Sequence, residues 1–410
     1  MDGKDRFEIS GKEAGSIPVR IVSGLKKDAI ENNSIGSGKT KVYDAPNGVQ
    51  LSGSSNTITR LKNDYYTNHF QYKDRNLNYL IPIFYVASDP DNGPVLGAFL
   101  SWTSYGFKKQ PFKQNHTLGG LYSFGTDGSR LSYKGQFTRV FGKFDFVMDA
   151  HWKAANFTQN FFGVGNNSIN NTEFDLNYNR VLTENIKIFP QIRRQWDAGS
   201  FSLGAFFEIN EAQRTPNRFI STTEAGLPER VFGVQRHVGL NANYQYRNTD
   251  NPSLPTIGMA FDINVDSYIG VSDLAPNHSG LSSGLTFYSK MSNNGKIVMA
   301  NKVAFATRFG NDYDFYHGTN LGGNNSLRGF RNERFNGKTA FYNMNDLRFT
   351  IGKVKNPILP FTLGLTGSFD HGRVWLPNDE VESDEWHISY GGSLWFNILD
   401  LATLNFGYHL

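Results

Sequence analysis

The chain has 410 residues, a net charge of +4, a mean hydropathy of −0.45 and no cysteine. The absence of cysteine excludes disulfides and thiolate metal sites. No run approaches the roughly eighteen apolar residues that a membrane helix needs, which excludes a helical membrane protein. The small, scattered charge argues against nucleic acid as a partner. A transmembrane β-barrel is not excluded, since its apolar outward residues alternate with polar inward ones, and the 14% aromatic content is typical of barrel girdles.

Residues 1–78 have no regular hydrophobic period. The stretches FEIS, IPVRIVS and TKVYD predict short strands, whereas IENNSIGSGK and VQLSGSSNTITR are rich in Ser, Asn and Gly and predict loops. The opening MDGKDRFEIS lacks the basic and apolar regions of a signal peptide, so we expect a mature form or a fragment. We interpret 1–78 as a short, irregular periplasmic lead-in segment.

Regular alternation begins near Tyr79. KFDFVMDAHWK, VGLNANYQYR and IGMAFDINVD each place apolar side chains on one face and polar side chains on the other, which indicates strands. About fifteen such segments follow one another, many near the ten residues that a tilted strand needs to cross a bilayer. Short turns (TDGS, FGK, NNGK) alternate with longer loops (154–172, 212–230 and 310–338), as in membrane barrels.

These patterns predict an all-β fold in which residues 79–410 form a transmembrane antiparallel β-barrel of the 16-strand type. A large soluble β-sandwich or solenoid is the alternative fold, because one soluble antiparallel sheet gives the same alternation. The number of repeated segments favours the barrel.

Three motifs carry a family resemblance. GGNNSLRGF (322–330) resembles the Arg-Gly-Phe loop motif of the outer-membrane protein assembly factor superfamily, which includes BamA, TamA and the two-partner secretion transporters and is also called the bacterial surface antigen family. GSFDHGRVW (367–375) is similar to that family's Phe-x-Asp-x-Gly strand motif. YRNTDNPSLPTIGMAF (246–261) resembles its Asp-Asn-Pro hairpin. The resemblance covers about residues 79–410.

The alternation in FTLGLTGSFDHG points Asp370 into the barrel lumen, where a lone carboxylate needs a cation. The resemblance implies that the 310–338 loop folds back into the lumen, where Arg328 meets Asp370. Arg331 and Arg334 are interpreted as ordinary loop charges. The predicted contact, called the lumen lock below, consists of Arg328, Gly329, Phe330, Asp370 and Gly372, with Gly322 and Gly323 permitting a tight backbone path and the inward-facing Asp346 and Arg348 in support.

No sequence pattern predicts catalysis in this chain. There is no nucleophile with a base, no pair of catalytic carboxylates, no phosphate loop, and no metal-ligand spacing among the nine histidines. We therefore expect neither an active site nor a cofactor in these residues.

The resemblance implies a protein of the Gram-negative outer membrane, in contact with its lipids, that inserts or secretes β-rich polypeptides or displays an upstream domain. Unfolded β-barrels or secreted polypeptides would then be its clients. A passive pore and a membrane anchor for an upstream phosphoesterase or lipase are the alternative functions. LATLNFGYHL resembles the family's penultimate strand, so we expect the closing strand to be missing, which would argue against insertase activity of this polypeptide alone.

Overall fold

A computed structural model of the chain describes residues 3–11, 19–24, 26–35, 40–53, 57–69, 76–89, 91–171, 173–310, 312–357, 359–377 and 385–410. They form two compact units, Met1–Asn78 with Ser104–Lys113, and Tyr79–Thr103 with Gln114–Leu410. None of the described helices is long and apolar enough to span a membrane.

The chain is built almost entirely from strands. In chain order the elements are β1 Arg6–Ile9, β2 Arg20–Gly24, β3 Asp28–Asn32, β4 Thr40–Asp44, β5 Val49–Gly53, β6 Thr57–Leu61, the one-turn helix α1 Tyr65–Asn68, β7 Tyr79–Asp89, β8 Gly93–Ser104, β9 Gln114–Ser123, β10 Gly128–Phe141, β11 Phe144–Lys153, β12 Gln159–Asn160, β13 Arg180–Val181, β14 Thr183–Gln195, β15 Gly199–Ala212, β16 Gln235–Thr249, β17 Gly258–Gly270, β18 His278–Lys290, β19 Ile297–Phe309, β20 Thr319–Leu321, β21 Phe335–Gly337, β22 Thr339–Val354, β23 Phe361–Trp375, β24 His387–Ile398 and β25 Ala402–His409. Short 3-10 helices lie at Phe219–Ser221, Thr223–Ala225, Glu229–Phe232 and Phe315–His317.

The second unit is dominated by one antiparallel sheet of fifteen strands. Each strand pairs with its neighbours in chain order, from β7 at one edge to β25 at the other, with only the β12–β13 and β20–β21 hairpins left outside the sheet. This confirms the all-β prediction and the predicted fifteen or so strands.

The two faces of the sheet differ as the alternation predicts. Large apolar side chains such as Leu240, Leu365 and Phe369 are exposed on the outer face. Polar side chains between them, such as Ser368 and Asp370, are buried on the inner face. An apolar outer face beside a polar, hydrogen-bonded interior is the arrangement of a barrel in lipid, and we call that interior the lumen.

Successive strands run in opposite directions, so every second connection lies at the same end of the sheet. The longer connections all lie at one of these two ends. These connections are 154–182, 213–234, 310–338 and 376–386. The short TDGS turn lies at this same end, so the predicted alternation of short turns with longer loops does not hold for that turn. Three of them, 154–182, 213–234 and 310–338, pack together around a core made of Phe161, Val181, Ala212, Ile220, Ala225, Val231 and Phe315.

The first unit is built from two small parallel sheets. Its odd-numbered strands form one sheet, in the order β1–β3–β5, and its even-numbered strands form the other, β2–β4–β6. Ile21, Ile30 and Val42 make its buried core. The β8–β9 connection belongs to this unit, where the ring of Phe107 lies 4.3 Å from that of Tyr43.

Two N-terminal stretches predicted as loops contain strands. β3 begins before IENNSIGSGK and extends into it, and VQLSGSSNTITR contains β5 and all but the last residue of β6, although residues 36–39 and 54–56 lie outside the described residues. Polar residues are used inside these strands, because neighbouring strands satisfy them: Asn32 donates to Thr57 Oγ1 at 2.8 Å. Composition alone does not separate such inward polar residues from those of a loop.

Candidate functional site

The 310–338 loop connects β19 with β22 and doubles back on itself. Its two limbs pair through β20 and β21, and the segment between them carries the GGNNSLRGFRNERF motif. Gly322 and Gly323 have φ of 119° and 78°, a region that L side chains rarely adopt. A Cβ on Gly322 would lie 2.2 Å from the carbonyl oxygen of Arg331, so glycine is required for this tight path.

The tip of the loop rests on a small apolar cluster. Leu321, Leu327 and Phe335 are fully buried there together with Ala340 and Val374 of the barrel wall. The ring of Phe330 packs edge-on against that of Phe335 at 5.2 Å between centroids. Burial of these side chains fixes the tip against the barrel wall and so positions the intervening Arg328.

Arg328 makes a two-point contact with Asp370. Its Nε and Nη2 atoms donate to the two carboxylate oxygens at 2.8 and 2.5 Å, and its backbone N–H donates to Oδ2 at 3.2 Å. Its Nη1 atom lies 2.8 Å from Oδ1 of Asp346. Because the Asp370 side chain has 0% exposure, this planar, charge-assisted contact compensates a carboxylate that water does not reach.

Serines on neighbouring strands complete the network. Ser389 of β24 donates to Asp370 at 3.2 Å, and Ser368 of β23 donates to Asp346 of β22 at 2.9 Å. Burial opposes the charged form of Arg328, but its hydrogen bond to Asp370 and the charge of Asp346 outweigh burial and raise its pKa. Arg328 is thus held as a cation against three adjacent strands.

Two further glycines are placed where a side chain has no room. A Cβ on Gly329 would lie 2.4 Å from the carbonyl of Leu410, directly after β25. A Cβ on Gly372 would lie 2.7 Å from the backbone oxygen of Phe341 on β22. The loop therefore lies in close contact with the end of the last strand of the sheet.

The interpretation of Arg331 and Arg334 as ordinary loop charges is wrong. Arg331 Nη2 lies 2.6 Å from Oδ1 of Asp91, whose side chain is 1% exposed and lies in the β7–β8 turn. Arg334 donates to Oγ of Ser168 at 2.7 Å, and its guanidinium lies 4.9 Å from the ring centroid of Phe162. Strand alternation gives no information about such contacts between loops, which is why the sequence did not predict them.

The hydrogen bond of Arg348 lies outside the lumen lock. Its guanidinium donates to the backbone oxygen of Pro255 and lies 5.4 Å from the ring centroid of Tyr288. Pro255 belongs to the β16–β17 connection, which lies at the end of the sheet opposite the longer connections. The side chain of Arg348 faces inward as predicted, but its hydrogen bond goes to Pro255 and not to the loop, so its supporting role toward Asp346 stays a prediction.

Glu333 carries a partly buried carboxylate beside this site. Its Oε2 accepts a hydrogen bond from the backbone N–H of Asn160 at 3.1 Å. Burial raises its pKa, the hydrogen bond from Asn160 lowers it, and the negative charge of Asp91 raises it further, with a net increase. The structure therefore favours the protonated form more than the unfolded chain does.

A pH dependence follows from this shift. A raised carboxyl pKa contributes stability that is fully present below the ordinary value of 4.5 and is lost as the pH rises through the folded-state value. Glu333→Gln stays uncharged, so we expect the variant to resist urea unfolding better than the wild type above pH 4.5 and to lose that advantage below it. The exposed Glu229→Gln is the control, and an equal pH-dependent gain there would contradict the assignment.

The Omp85 superfamily domain matches residues 48–408 of this chain. No curated protein matches it. Among solved structures, the chain is similar to BamA from Haemophilus ducreyi lacking POTRA domains 1–3, with a TM-score of 0.59 and 14% identity over 82% of this chain and 67% of that one. It is also similar to CdiB from Escherichia coli, with a TM-score of 0.50 and 11% identity over 87% and 62% of the two chains. At these identities the likeness concerns the fold, and the chain spans about two thirds of the length of each.

Proposed function

This chain belongs to the Omp85 superfamily, and we propose that it acts in the outer membrane of a Gram-negative bacterium as a barrel that helps β-rich polypeptides enter or cross that membrane. Residues 1–78 would lie on the periplasmic side, and the 310–338 loop would brace the barrel from within. The mechanism is non-covalent strand pairing at the edges of the sheet.

The two sheet edges carry this proposal. Within the described part of the chain, β7 and β25 each pair with only one strand of the sheet. An edge strand offers a row of backbone donors and acceptors to an incoming strand. Pro82 lies in β7 and lacks an N–H, so it cannot donate a backbone hydrogen bond to an incoming strand at that edge. β25 contains no proline.

The free donors of β25 can be identified from its register. Leu410 exchanges both backbone hydrogen bonds with Tyr390 of β24, at 2.9 and 3.0 Å. Because bonded positions alternate in an antiparallel pair, the N–H groups of every second residue point away from β24. These residues are Thr403, Asn405, Gly407 and His409.

The loop contacts lie close to both edges. Gly329 packs against Leu410, next to β25, and two residues later Arg331 binds Asp91, next to β7. A brace fastened near both edges would keep the barrel intact while an incoming strand occupies the gap between them. This supports a bracing role for the lumen lock in handling polypeptides.

Asn405→Pro tests the edge directly. The change removes an outward-pointing donor of β25 and leaves the bonds to β24 in place, so we expect folding of a urea-unfolded eight-stranded barrel to slow to the rate in empty vesicles. The measurement is the heat-modifiable gel shift of that client in vesicles containing this protein.

Asn405→Ala is the matched control, since it keeps the N–H and should retain the wild-type rate. Equal rates for Asn405→Pro and the wild type, both above empty vesicles, would contradict pairing at β25. A wild-type rate equal to that of empty vesicles would contradict the assistance itself.

A further inference from the structure

Three histidines from distant parts of the chain meet at the loop end of the lumen. His237 lies near the start of β16, His278 begins β18, and His317 ends the 3-10 helix of the 310–338 loop. Their side chains are nearly or fully buried. One ring nitrogen from each lies within 4.8 Å of one from each of the others.

The hydrogen bonds of the rings fix their tautomers. His237 Nε2 lies 3.1 Å and His278 Nδ1 3.3 Å from the backbone oxygen of Pro276. A carbonyl oxygen only accepts, so both of these nitrogens carry the proton. His317 Nε2 lies 3.3 Å from Oε1 of Glu208, a carboxylate that likewise accepts. The Asn210 amide, 3.5 Å from this nitrogen, donates instead to the same Glu208 oxygen at 2.7 Å, so Nε2 of His317 also carries the proton.

Each ring keeps its other nitrogen free of partners. Among the described residues, Nδ1 of His237, Nε2 of His278 and Nδ1 of His317 are buried without a hydrogen bond. With the proton on the opposite nitrogen, each of these atoms presents a lone pair. A buried acceptor with no donor is costly, and three of them in one cluster need an explanation.

We infer that His237, His278 and His317 bind a divalent transition-metal ion, with zinc as the expected occupant. Neutral imidazole is a preferred ligand of zinc, copper and nickel. Zinc–nitrogen bonds of about 2.0–2.1 Å place tetrahedral ligand atoms ~3.3 Å apart. This spacing is shorter than the 4.8 Å within which one nitrogen of each ring now lies, so the rings would have to move together around the ion. Three protein ligands leave one position for solvent.

The surroundings are those that support metal-bound histidines. Ligating imidazoles usually donate their second N–H to a carboxylate or a backbone carbonyl, which fixes the ring and raises its basicity. Glu208 supplies the carboxylate and is itself held by Lys187 Nζ at 2.7 Å. The ring of Tyr268 stacks on that of His278, with 4.5 Å between centroids.

A bound ion would fasten the loop at a second point. His317 belongs to the first limb of the 310–338 loop, whereas His237 and His278 belong to the barrel wall. The metal would therefore cross-link the loop to β16 and β18, on a different part of the wall from the Arg328–Asp370 contact. Loop attachment would then depend on metal supply.

The test uses the full chain folded in detergent, stripped with a chelator, and titrated with Co²⁺ alone or Zn²⁺ alone. We expect the visible d–d absorption of tetrahedral cobalt, about one zinc ion per chain by elemental analysis, and a rise of about 5 °C in the unfolding temperature with excess zinc. His317→Ala should abolish all three. His371→Ala, which changes a histidine outside the cluster, should retain them.

Two results would overturn the inference. One is a wild-type chain that binds less than about a tenth of an equivalent of zinc and shows no cobalt spectrum. The other is a His317→Ala variant that binds like the wild type, which would place the ion elsewhere. If His317→Ala does not fold, His317→Gln retains a donor for Glu208 without the ring ligand, and the wild-type cobalt spectrum still decides.

Discussion

Arg328→Ala is expected to lower the free energy of unfolding of the barrel by about 3–5 kcal/mol, because it removes one partner of a buried ion pair. Among the described residues, Asp370 would keep only its hydrogen bonds from Ser389 and from the backbone N–H of residue 328. The carboxylate would remain buried without a compensating cation. The measurement is urea unfolding followed by heat-modifiable gel mobility and by circular dichroism.

Three comparisons separate the specific contact from a general loss of charge. Arg328→Lys keeps a cation but not the planar two-point contact, so it should recover only part of the loss. Combining Arg328→Ala with Asp370→Ala should cost less than the sum of the single changes, since the partners are coupled. Arg214→Ala breaks an exposed pair with Glu229 and should cost at most about 1 kcal/mol. Equal losses of unfolding free energy for Arg328→Ala and Arg214→Ala would contradict the stabilising role given to the lumen lock.

Arg331→Ala should destabilise the barrel by a similar ~3–5 kcal/mol, since it leaves the buried carboxylate of Asp91 without its cation. It also removes the hydrogen bond to Oδ1 of Asn160 at 3.0 Å. The effect should be largest near the β7–β8 turn, which loses its fastening to the loop. Hydrogen exchange of the β7 and β8 amides, together with urea unfolding, measures both effects.

Arg334→Ala is the matched control for this prediction. Arg334 is also held by the loop network, but its hydrogen-bond partner is the neutral Ser168, so no charge is stranded. We expect a loss of about 1–2 kcal/mol and little change in β7. A loss for Arg331→Ala no greater than that for Arg334→Ala would contradict the role given to Asp91.

The barrel was largely predictable from the sequence because its physics is local. Side chains alternate faces along a strand, so the residues of each ten-residue stretch predict by themselves which side chains face outward and which inward. Leu365 and Phe369 are apolar and face outward, so the alternation places Asp370 on the inner face. The same reasoning failed for β3, β5 and β6, where polar residues such as Asn32 face neighbouring strands. Parallel stacking is a non-local property that composition does not reveal.

The candidate site was predictable only where one partner lies on a strand. The position of Asp370 in the strand alternation predicts that its side chain faces inward. Arg331 contacts Asp91 and Arg334 contacts Ser168, and all four residues lie in connections without periodicity, which gives no such prediction. The histidine cluster is a stronger case, because its members lie about forty residues apart and no spacing rule applies. Their proximity arises from strand order and from the fold of one loop.

A loop fastened at Gly329, Arg328 and Arg331 cannot freely change length. The four positions from 328 to 331 must reach Asp370, Leu410 and Asp91 at once, so one inserted residue would pull at least one contact out of reach. Asn324 and Asn325 are exposed at the tip and carry no such constraint. Insertions and deletions among homologous chains are therefore expected at 324–325, and the Arg-Gly-Phe-Arg segment should keep a fixed length.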